Sequence, residues 1–348
     1  MRTTWIFVGL TAVATVAAGI SHFAHATSGL TFGLSTVALA GLAWMVSFGT
    51  EQVGTRFGPA VTGVMQSTLG NLPEFFVVMF ALSAGEIVVA QSSIVGSIFA
   101  NALLVLGLVI VVGSRESGDG IMRFSARLPK DNAILLMLAS FLIVILGISS
   151  ATADRASHHV EAISIAGAVA LLLTYLVWIV DYIRSDTPGA HPRGEPALPL
   201  NTAIVLLAVA GVGAAFVSDW FVSSLTPTMD RLGIPKAFAG LVIVAIAGNA
   251  VENTVGIVLA RKGQSDLAVS VVKNSVAQIT AFLFPALVLV SLLFATHLTF
   301  GLAPVFTGAL LLTSLSLWFI TSDGEATMFE GVALISLYVI LAVVTFYE

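Results

Sequence analysis

Two glutamates stand in matching contexts inside long apolar stretches of the chain. Glu74 ends the segment GNLPE, and Glu252 ends GNAVE, which lies 178 residues further along. A lone carboxylate in hydrocarbon costs at least a few kcal/mol, and acids inside a membrane are rare and usually mark an ion or proton pathway. The repeated Gly-Asn-x-x-Glu pattern therefore predicts one functional site built from both acids.

The oxygen-bearing residues near these acids predict a site for a hard cation. Carboxylates, amides and hydroxyls are the ligands that Ca²⁺ prefers, and Na⁺ takes the same set. Two acids held together in a poorly hydrated site repel each other, so they bind protons more tightly and a cation competes with those protons. The predicted cation- and proton-binding residues are Glu74, Glu252, Asn71, Asn249, Ser97, Ser275, Asn274, Gln66, Thr68 and Ser92, with the two glutamates as the metal ligands. Gln91 and Asn101 remain open between ion binding and helix packing.

The composition requires that membrane helices position this site. The chain is 57% hydrophobic and 9% charged, whereas soluble domains carry about 25% charged residues. It has no cysteine, which excludes disulfides and thiolate chemistry. Apolar runs long enough to cross a bilayer predict an all-α membrane protein with about eleven spans, at 4–24, 30–49, 59–84, 88–113, 131–149, 160–181, 201–225, 237–260, 265–295, 302–321 and 326–346. The run 265–295 is too long for a simple span and is expected to tilt or break.

The spacing of the polar residues places them at a common depth. Glu74 lies ten residues before the loop at Ala84, and Gly96-Ser97 follow that loop at a similar distance. At a rise of about 1.5 Å per residue, both reach about 15 Å into the membrane, half the thickness of its hydrocarbon core. Glu252 and Asn274-Ser275 flank the 261–265 loop in the same way. Gly70, Pro73, Gly248 and Gly96 are expected to break or closely pack these helices, leaving free carbonyls beside a cavity.

The offset between the two motifs is kept across an internal repeat. The 178-residue offset also carries Gly85 onto Gly263 and Ser97 onto Ser275 without a gap. Five predicted spans separate the copies, and this odd number inverts one copy in the membrane, as in many secondary transporters. The predicted organisation is a peripheral first helix at 1–27, a first inverted five-helix repeat at 28–183, a cytoplasmic linker at 184–200 and a second repeat at 201–348.

The distribution of basic residues predicts the orientation. Ten Lys and Arg residues fall on one side of the predicted topology and three on the other, which places the N-terminus in the cytoplasm and the C-terminus outside. The compact loops favour a bacterial inner membrane. Residues 1–26 are interpreted as a retained first helix, although their end, SHFAHA, also fits a cleaved signal peptide.

At these motifs the sequence resembles the Ca²⁺/H⁺ exchanger (CAX) family of the cation/Ca²⁺ exchanger superfamily. Segment 58–107 is similar to the first α-repeat of that family and segment 247–285 to the second, and the tail from Asp323 is similar to its last helix. The resemblance implies one peripheral helix plus two inverted sets of five, with Glu74 and Glu252 as carriers of cation and protons. The implied partners are the lipid bilayer, Ca²⁺ and protons, with no cofactor and no nucleic acid.

The most consequential departure from the family pattern is VVKNSVAQ in the second copy. Lys273 and Asn274 stand where the family has an apolar residue and glycine. Lys273 either modulates the site, which would favour Na⁺ or K⁺ over Ca²⁺, or faces away from it and snorkels toward the membrane surface. The sequence thus favours a Ca²⁺/H⁺ antiporter, with a monovalent cation/H⁺ antiporter as the alternative. An intramembrane enzyme and a passive channel have less support. Glu86, in a loop, is expected to matter little for exchange.

Overall fold

The computed structural model describes residues 2–54, 56, 65, 68–125, 127–185 and 197–348. Gln66 therefore lies outside the described residues, and so does the side chain of Glu252, whose backbone is described. Twelve helices are defined in this part of the chain: α1 Arg2–Phe23, α2 Ser28–Gly54, α3 Leu72–Ser83, α4 Ile87–Glu116, α5 Arg127–Thr152, α6 Val160–Ser185, α7 Leu200–Leu232, α8 Lys236–Gly248, α9 Ala250–Arg261, α10 Ser265–Ser291, α11 Pro304–Thr321 and α12 Met328–Tyr347. Two short strands, β1 Ile121–Arg123 and β2 Glu325–Thr327, form an antiparallel pair.

Nine of the described helices are long and apolar enough to cross a membrane, which confirms the all-α membrane fold. The predicted span 237–260 is interrupted at Asn249, because one helix stops at Gly248, a predicted break residue, and the next starts at Ala250. The predicted span 59–84 is likewise interrupted, since residues 68–70 are helical, Asn71 is a turn and α3 begins at Leu72. The predicted span 265–295 is a single helix, α10, which contains a π-helical segment at Ile279–Leu283.

The backbone repeats with the offset seen in the sequence. α3 and α9 have equal lengths and begin and end at equivalent positions. The turns that follow them contain Gly85 with φ 76° and Gly263 with φ 71°, a left-handed conformation that glycine adopts without strain. α4 has a π-helical segment at Ala100–Val105, which matches the one in α10. The local backbone geometry is therefore duplicated with the same offset as the sequence motifs.

The two glycine turns lie at opposite ends of the helix bundle. The turn at Gly85 leads into α4, whose other end leads to β1 and Ser125. The amide of Ser125 donates a hydrogen bond to Asp266, close after Gly263. The bundle therefore has a Gly85 end and a Gly263 end, and the two copies run through it in opposite directions. The β1–β2 pair, with Met122 opposite Ala326, belongs to the Gly263 end.

Close glycine contacts hold the halves together around the site. A Cβ added to Gly96 in α4 would lie 2.5 Å from Leu241 Cα in α8, and one added to Gly240 would lie 1.9 Å from Ser92 Oγ. A similar approach joins Gly107 in α4 to Gly331 in α12, where a Cβ would lie 2.7 Å from a backbone oxygen. These contacts bring the backbones of the two halves together where the polar residues lie.

α1 packs on the outside of this arrangement. It contacts α2, where a Cβ on Gly41 would collide with Thr11, and it reaches α7 through Trp220, which stacks on His22. The segment that leads into α7 is held to α2, because Gln52 Oε1 accepts a hydrogen bond from the amide of Ala197 at 2.7 Å. Whether the first helix is cleaved stays a prediction, as do the boundaries of the two repeats.

Candidate cation site

Both Gly-Asn-x-x-Glu motifs lie at helix breaks. Asn71 has φ −84° and ψ 6°, and Asn249 has φ −103° and ψ 16°, so each asparagine leaves the helical path immediately before a new helix. Pro73 falls in the first turn of α3, where its missing N–H costs no hydrogen bond. The second copy has Val251 at this position and breaks equally, so the asparagine rather than the proline marks the interruption.

Glu74 is buried in the first turn of α3. Its side chain is 4% exposed, and both carboxylate oxygens are closed to solvent. The free N–H groups and positive dipole end of a helix favour negative charge at this position. Burial nevertheless makes an ionised carboxylate expensive unless a cation, a proton or a polar partner compensates it. Glu252 occupies the equivalent position in the first turn of α9 by its backbone.

A chain of buried side chains connects the two copies beside the breaks. Asn249 Nδ2 donates to Ser97 Oγ at 2.8 Å, and Asn101 Nδ2 donates to Asn249 Oδ1 at 2.9 Å. Asn101 Nδ2 also lies 3.3 Å from Ser275 Oγ. Ser97 and Asn101 come from α4, Asn249 from the α8–α9 break and Ser275 from α10. The structure therefore brings together the predicted site residues Ser97, Asn249 and Ser275.

Asn101 is the member of this group that sequence reasoning left open. Its i, i+4 relation to Ser97 is readable in the sequence, and Asn101 Nδ2 also donates to the Ser97 carbonyl at 3.1 Å. Its Oδ1 is buried and accepts no hydrogen bond from the residues that the structure describes. An orphaned buried carbonyl-type oxygen is a ready ligand for a hard cation. Gln91 instead donates to the Gly301 carbonyl at 3.2 Å, which favours the packing role for that amide.

Other predicted residues lie near the breaks or contact neighbouring helices. Asn71 is buried at the first break, and Thr68 lies beside the hydroxyl of Tyr175 in α6. Ser92 donates to the Val89 carbonyl of its own helix at 3.3 Å and packs against Gly240. Gly70 and Gly248 directly precede the two asparagines at the breaks. Gln66 lies outside the described residues.

Lys273 and Asn274 contact two neighbouring helices. Lys273 is 2% exposed, and its ammonium donates to the hydroxyl of Thr321, the last residue of α11. Asn274 Oδ1 accepts from Asn132 Nδ2 in α5 at 2.8 Å. The two residues that depart from the family pattern thus bind α11 and α5, whereas the next residue, Ser275, reaches Asn101. Neither Asn132 nor Thr321 could be identified from the sequence, because neither lies in a repeat motif.

A family model described as sodium/calcium exchanger protein matches residues 27–182 and 202–347. The chain belongs to the sodium/calcium exchanger protein family. This membership confirms the resemblance to cation exchangers found in the repeats.

The relatives of this exchanger-family chain are similar over most of their length. It is 32% identical over 330 residues to the vacuolar calcium ion transporter of Schizosaccharomyces pombe, covering 91% of this chain and 79% of the relative. It is 29% identical to the Ca²⁺/H⁺ antiporter ChaA of Bacillus subtilis, covering 97% and 98% of the two chains. The solved structure of native YfkE superposes with a TM-score of 0.83 at 28% identity, over 98% of this chain and all of that one (100%).

Proposed function

We propose that this chain is a secondary active cation/proton antiporter that exchanges Ca²⁺ for protons by alternating access. The observation that carries the proposal is the pair of matching helix breaks, one followed by the buried Glu74 and the other joined through Asn249 to Ser97, Asn101 and Ser275. The named activities of the yeast and Bacillus subtilis relatives support Ca²⁺ as the cation and the proton as its counter-ion. We propose transport rather than catalysis, in a cytoplasmic membrane with the N-terminus inside.

The proposed exchange follows from competition for the same oxygens. With the cation bound, the two glutamates are ionised and the amide and hydroxyl oxygens complete its ligand shell. When the cation leaves, the buried carboxylates take up protons, because two bare charges at this depth would repel each other and lack solvation. In the cation-bound form and in the protonated form the charge of the two glutamates is neutralised, so the site can switch from one side of the membrane to the other. The form with neither cation nor protons carries two unneutralised charges and is disfavoured.

A monovalent cation is the second candidate because of Lys273. The buried ammonium lies two residues from Ser275, so its positive charge would weaken binding of a divalent ion more than that of Na⁺ or K⁺. The Lys273 ammonium donates to Thr321 on α11, and the Ca²⁺ activities named for the relatives favour Ca²⁺ over a monovalent ion.

Reconstituted transport separates the two candidates. Purified protein in liposomes with an internal pH-sensitive dye would receive Ca²⁺, Na⁺ or K⁺ under an imposed proton gradient. The wild type and Lys273→Leu are compared, with Glu116→Gln, an exposed residue at the end of α4, as the matched control. Proton movement driven by Ca²⁺ in the wild type supports Ca²⁺/H⁺ exchange. A response to Na⁺ or K⁺ alone, with a Ca²⁺ response gained in Lys273→Leu, supports the monovalent alternative. No response to any cation contradicts both.

A further inference from the structure

A carboxylate at the Gly85 end joins the two halves of the molecule. Both carboxylate oxygens of Glu86 accept hydrogen bonds from Lys236 Nζ, at 2.9 and 2.8 Å. One of these oxygens also accepts a hydrogen bond from Thr226 Oγ1 at 3.1 Å. The Glu86 side chain is 22% exposed and that of Lys236 is 37% exposed, so the pair is partly withdrawn from solvent. Such bidentate, partly buried pairs are stronger than the usual surface ion pair.

The three residues connect the helices that carry the site. Glu86 lies in the turn between α3, which contains Glu74, and α4, which contains Ser97 and Asn101. Lys236 begins α8, which leads to the break at Asn249, and Thr226 lies near the end of α7. Glu86 therefore holds the turn of the first half against both sides of the α7–α8 corner of the second half.

The opposite end of the molecule has no equivalent of this contact in its sequence. The residue equivalent to Glu86 is Gln264, and the residue equivalent to Lys236 is Gly58. A neutral amide and a glycine cannot form an ion pair. The backbone at the two turns is nonetheless the same, with φ −87° and ψ 62° at Glu86 and φ −91° and ψ 60° at Gln264. At this turn the backbone is shared and only the side chain differs.

We propose that Glu86, Lys236 and Thr226 form a latch that stabilises closure of the cation site toward the Gly85 end and must open when the site opens there. The inference rests on the proposed alternating-access antiport and names a device that regulates it. It replaces the expectation that Glu86 matters little. At the Gly263 end the described residues join the halves through the more exposed pair of Arg123 and Glu325. The less exposed latch therefore biases the protein toward the state closed at the Gly85 end. A ligand or contact shifts such an equilibrium only by its differential stabilisation of the two states.

Cross-linking tests whether the latch must open. The chain has no cysteine, so Glu86→Cys/Lys236→Cys can be joined specifically by a short cleavable bis-thiol reagent. We expect the cross-linked protein to lose exchange in liposomes and to regain it after the linker is cleaved. The control is Asp119→Cys/Arg123→Cys, a pair within one segment that also forms a salt bridge, and its cross-link should leave exchange intact. Exchange at the untreated rate with the Glu86–Lys236 cross-link fully formed would overturn the latch.

A second measurement does not depend on transport. Amide hydrogen exchange of Glu86→Gln in detergent should rise by about three- to tenfold over residues 84–90 and 233–239, as expected for loss of a partly buried ion pair. Residues 262–268 at the Gly263 end should be unchanged. Glu86→Lys/Lys236→Glu, which restores the pair in reverse, should return protection toward the wild-type level. Unchanged protection in Glu86→Gln would contradict the latch, whereas failure of every cation to drive exchange in the wild type would contradict only the proposed function.

Discussion

The two halves of this protein share a backbone but differ in the side chains placed on it. Breaks at Asn71 and Asn249, turns at Gly85 and Gly263 and π-helical segments in α4 and α10 recur at equivalent positions. The side chains differ at Gly96, which has Asn274 as its counterpart, and at Asn101, which has Ile279. The shared backbone positions two acids, and the differences determine how the halves pack and what surrounds the acids.

The largest expected effect concerns the two acids that the halves share. Glu74→Gln and Glu252→Gln should each abolish exchange, because a neutral amide neither releases a proton nor neutralises a bound cation. Cation-driven proton movement in liposomes measures both variants, with Glu116→Gln as the control. Near-normal exchange in either variant would show that the two glutamates contribute unequally to exchange, and would contradict a site built from both acids.

Gly96 of the first half should tolerate substitution by alanine far less well than its counterpart Asn274. Gly96→Ala places a Cβ within 2.5 Å of the Leu241 backbone, so we expect a loss of about 1–3 kcal/mol or more in stability. Asn274→Ala removes only the hydrogen bond to Asn132 and should cost about 1 kcal/mol. Thermal unfolding in detergent compares them. Gly248→Ala, with open space around its Cβ position, serves as the control for a helix glycine.

A smaller effect should distinguish an ion-binding amide from a packing amide on α4. Asn101→Ala removes a buried oxygen and the contact to Asn249, so we expect cation binding to weaken about tenfold. Gln91→Ala removes only the bond to the Gly301 carbonyl and should leave affinity unchanged. Calorimetric titration with Ca²⁺ and with Na⁺ measures both. Equal losses in the two variants would assign Asn101 to packing.

The smallest effect is expected at the exposed β1 region of the Gly263 end. The hydrogen bond from Arg123 lowers the pKa of Asp119. A depressed carboxyl pKa stabilises the fold above the usual pKa of Asp, and this contribution is lost as the pH falls through the lowered value. Asp119→Asn should therefore unfold slightly earlier than wild type at neutral pH and at the same temperature in acid. A large difference at neutral pH would mean that this end is also held by a strong ionic contact.

The features of the fold that could be predicted are those that apolar runs and repeated motifs indicate. Apolar runs predicted the spans, and Gly70, Pro73 and Gly248 predicted where the helices break. Hydropathy predicted the extents of the spans 59–84 and 237–260, but an apolar run does not show the exact residue at which the backbone leaves the helix. The Ser97–Asn249–Ser275 group followed from depth, since residues equally far from opposite loops meet at the same level.

The remainder depends on contacts between distant helices. Asn132 and Thr321 lie in no motif, and only the packing of α5 and α11 against α10 brings them to Asn274 and Lys273. The ion pair of Glu86 was missed for the same reason, because Lys236 lies 150 residues away in the sequence. Which partner a residue contacts depends on the direction in which its side chain points from the helix. The distance of the residue from a loop does not indicate this direction.

The matched π-helical segments also record the history of the chain. A π-helical turn contains one residue more than an α-helical turn, and such turns inside α-helices are found mostly at functional sites. The segments at Ala100–Val105 and Ile279–Leu283 follow Ser97 and Ser275 at equivalent places in the two copies. A shared insertion of this kind is inherited more readily than acquired twice. The ancestor of each half therefore already carried the widened turn, and duplication of that single unit preceded the divergence of Gly96 from Asn274 and of Glu86 from Gln264.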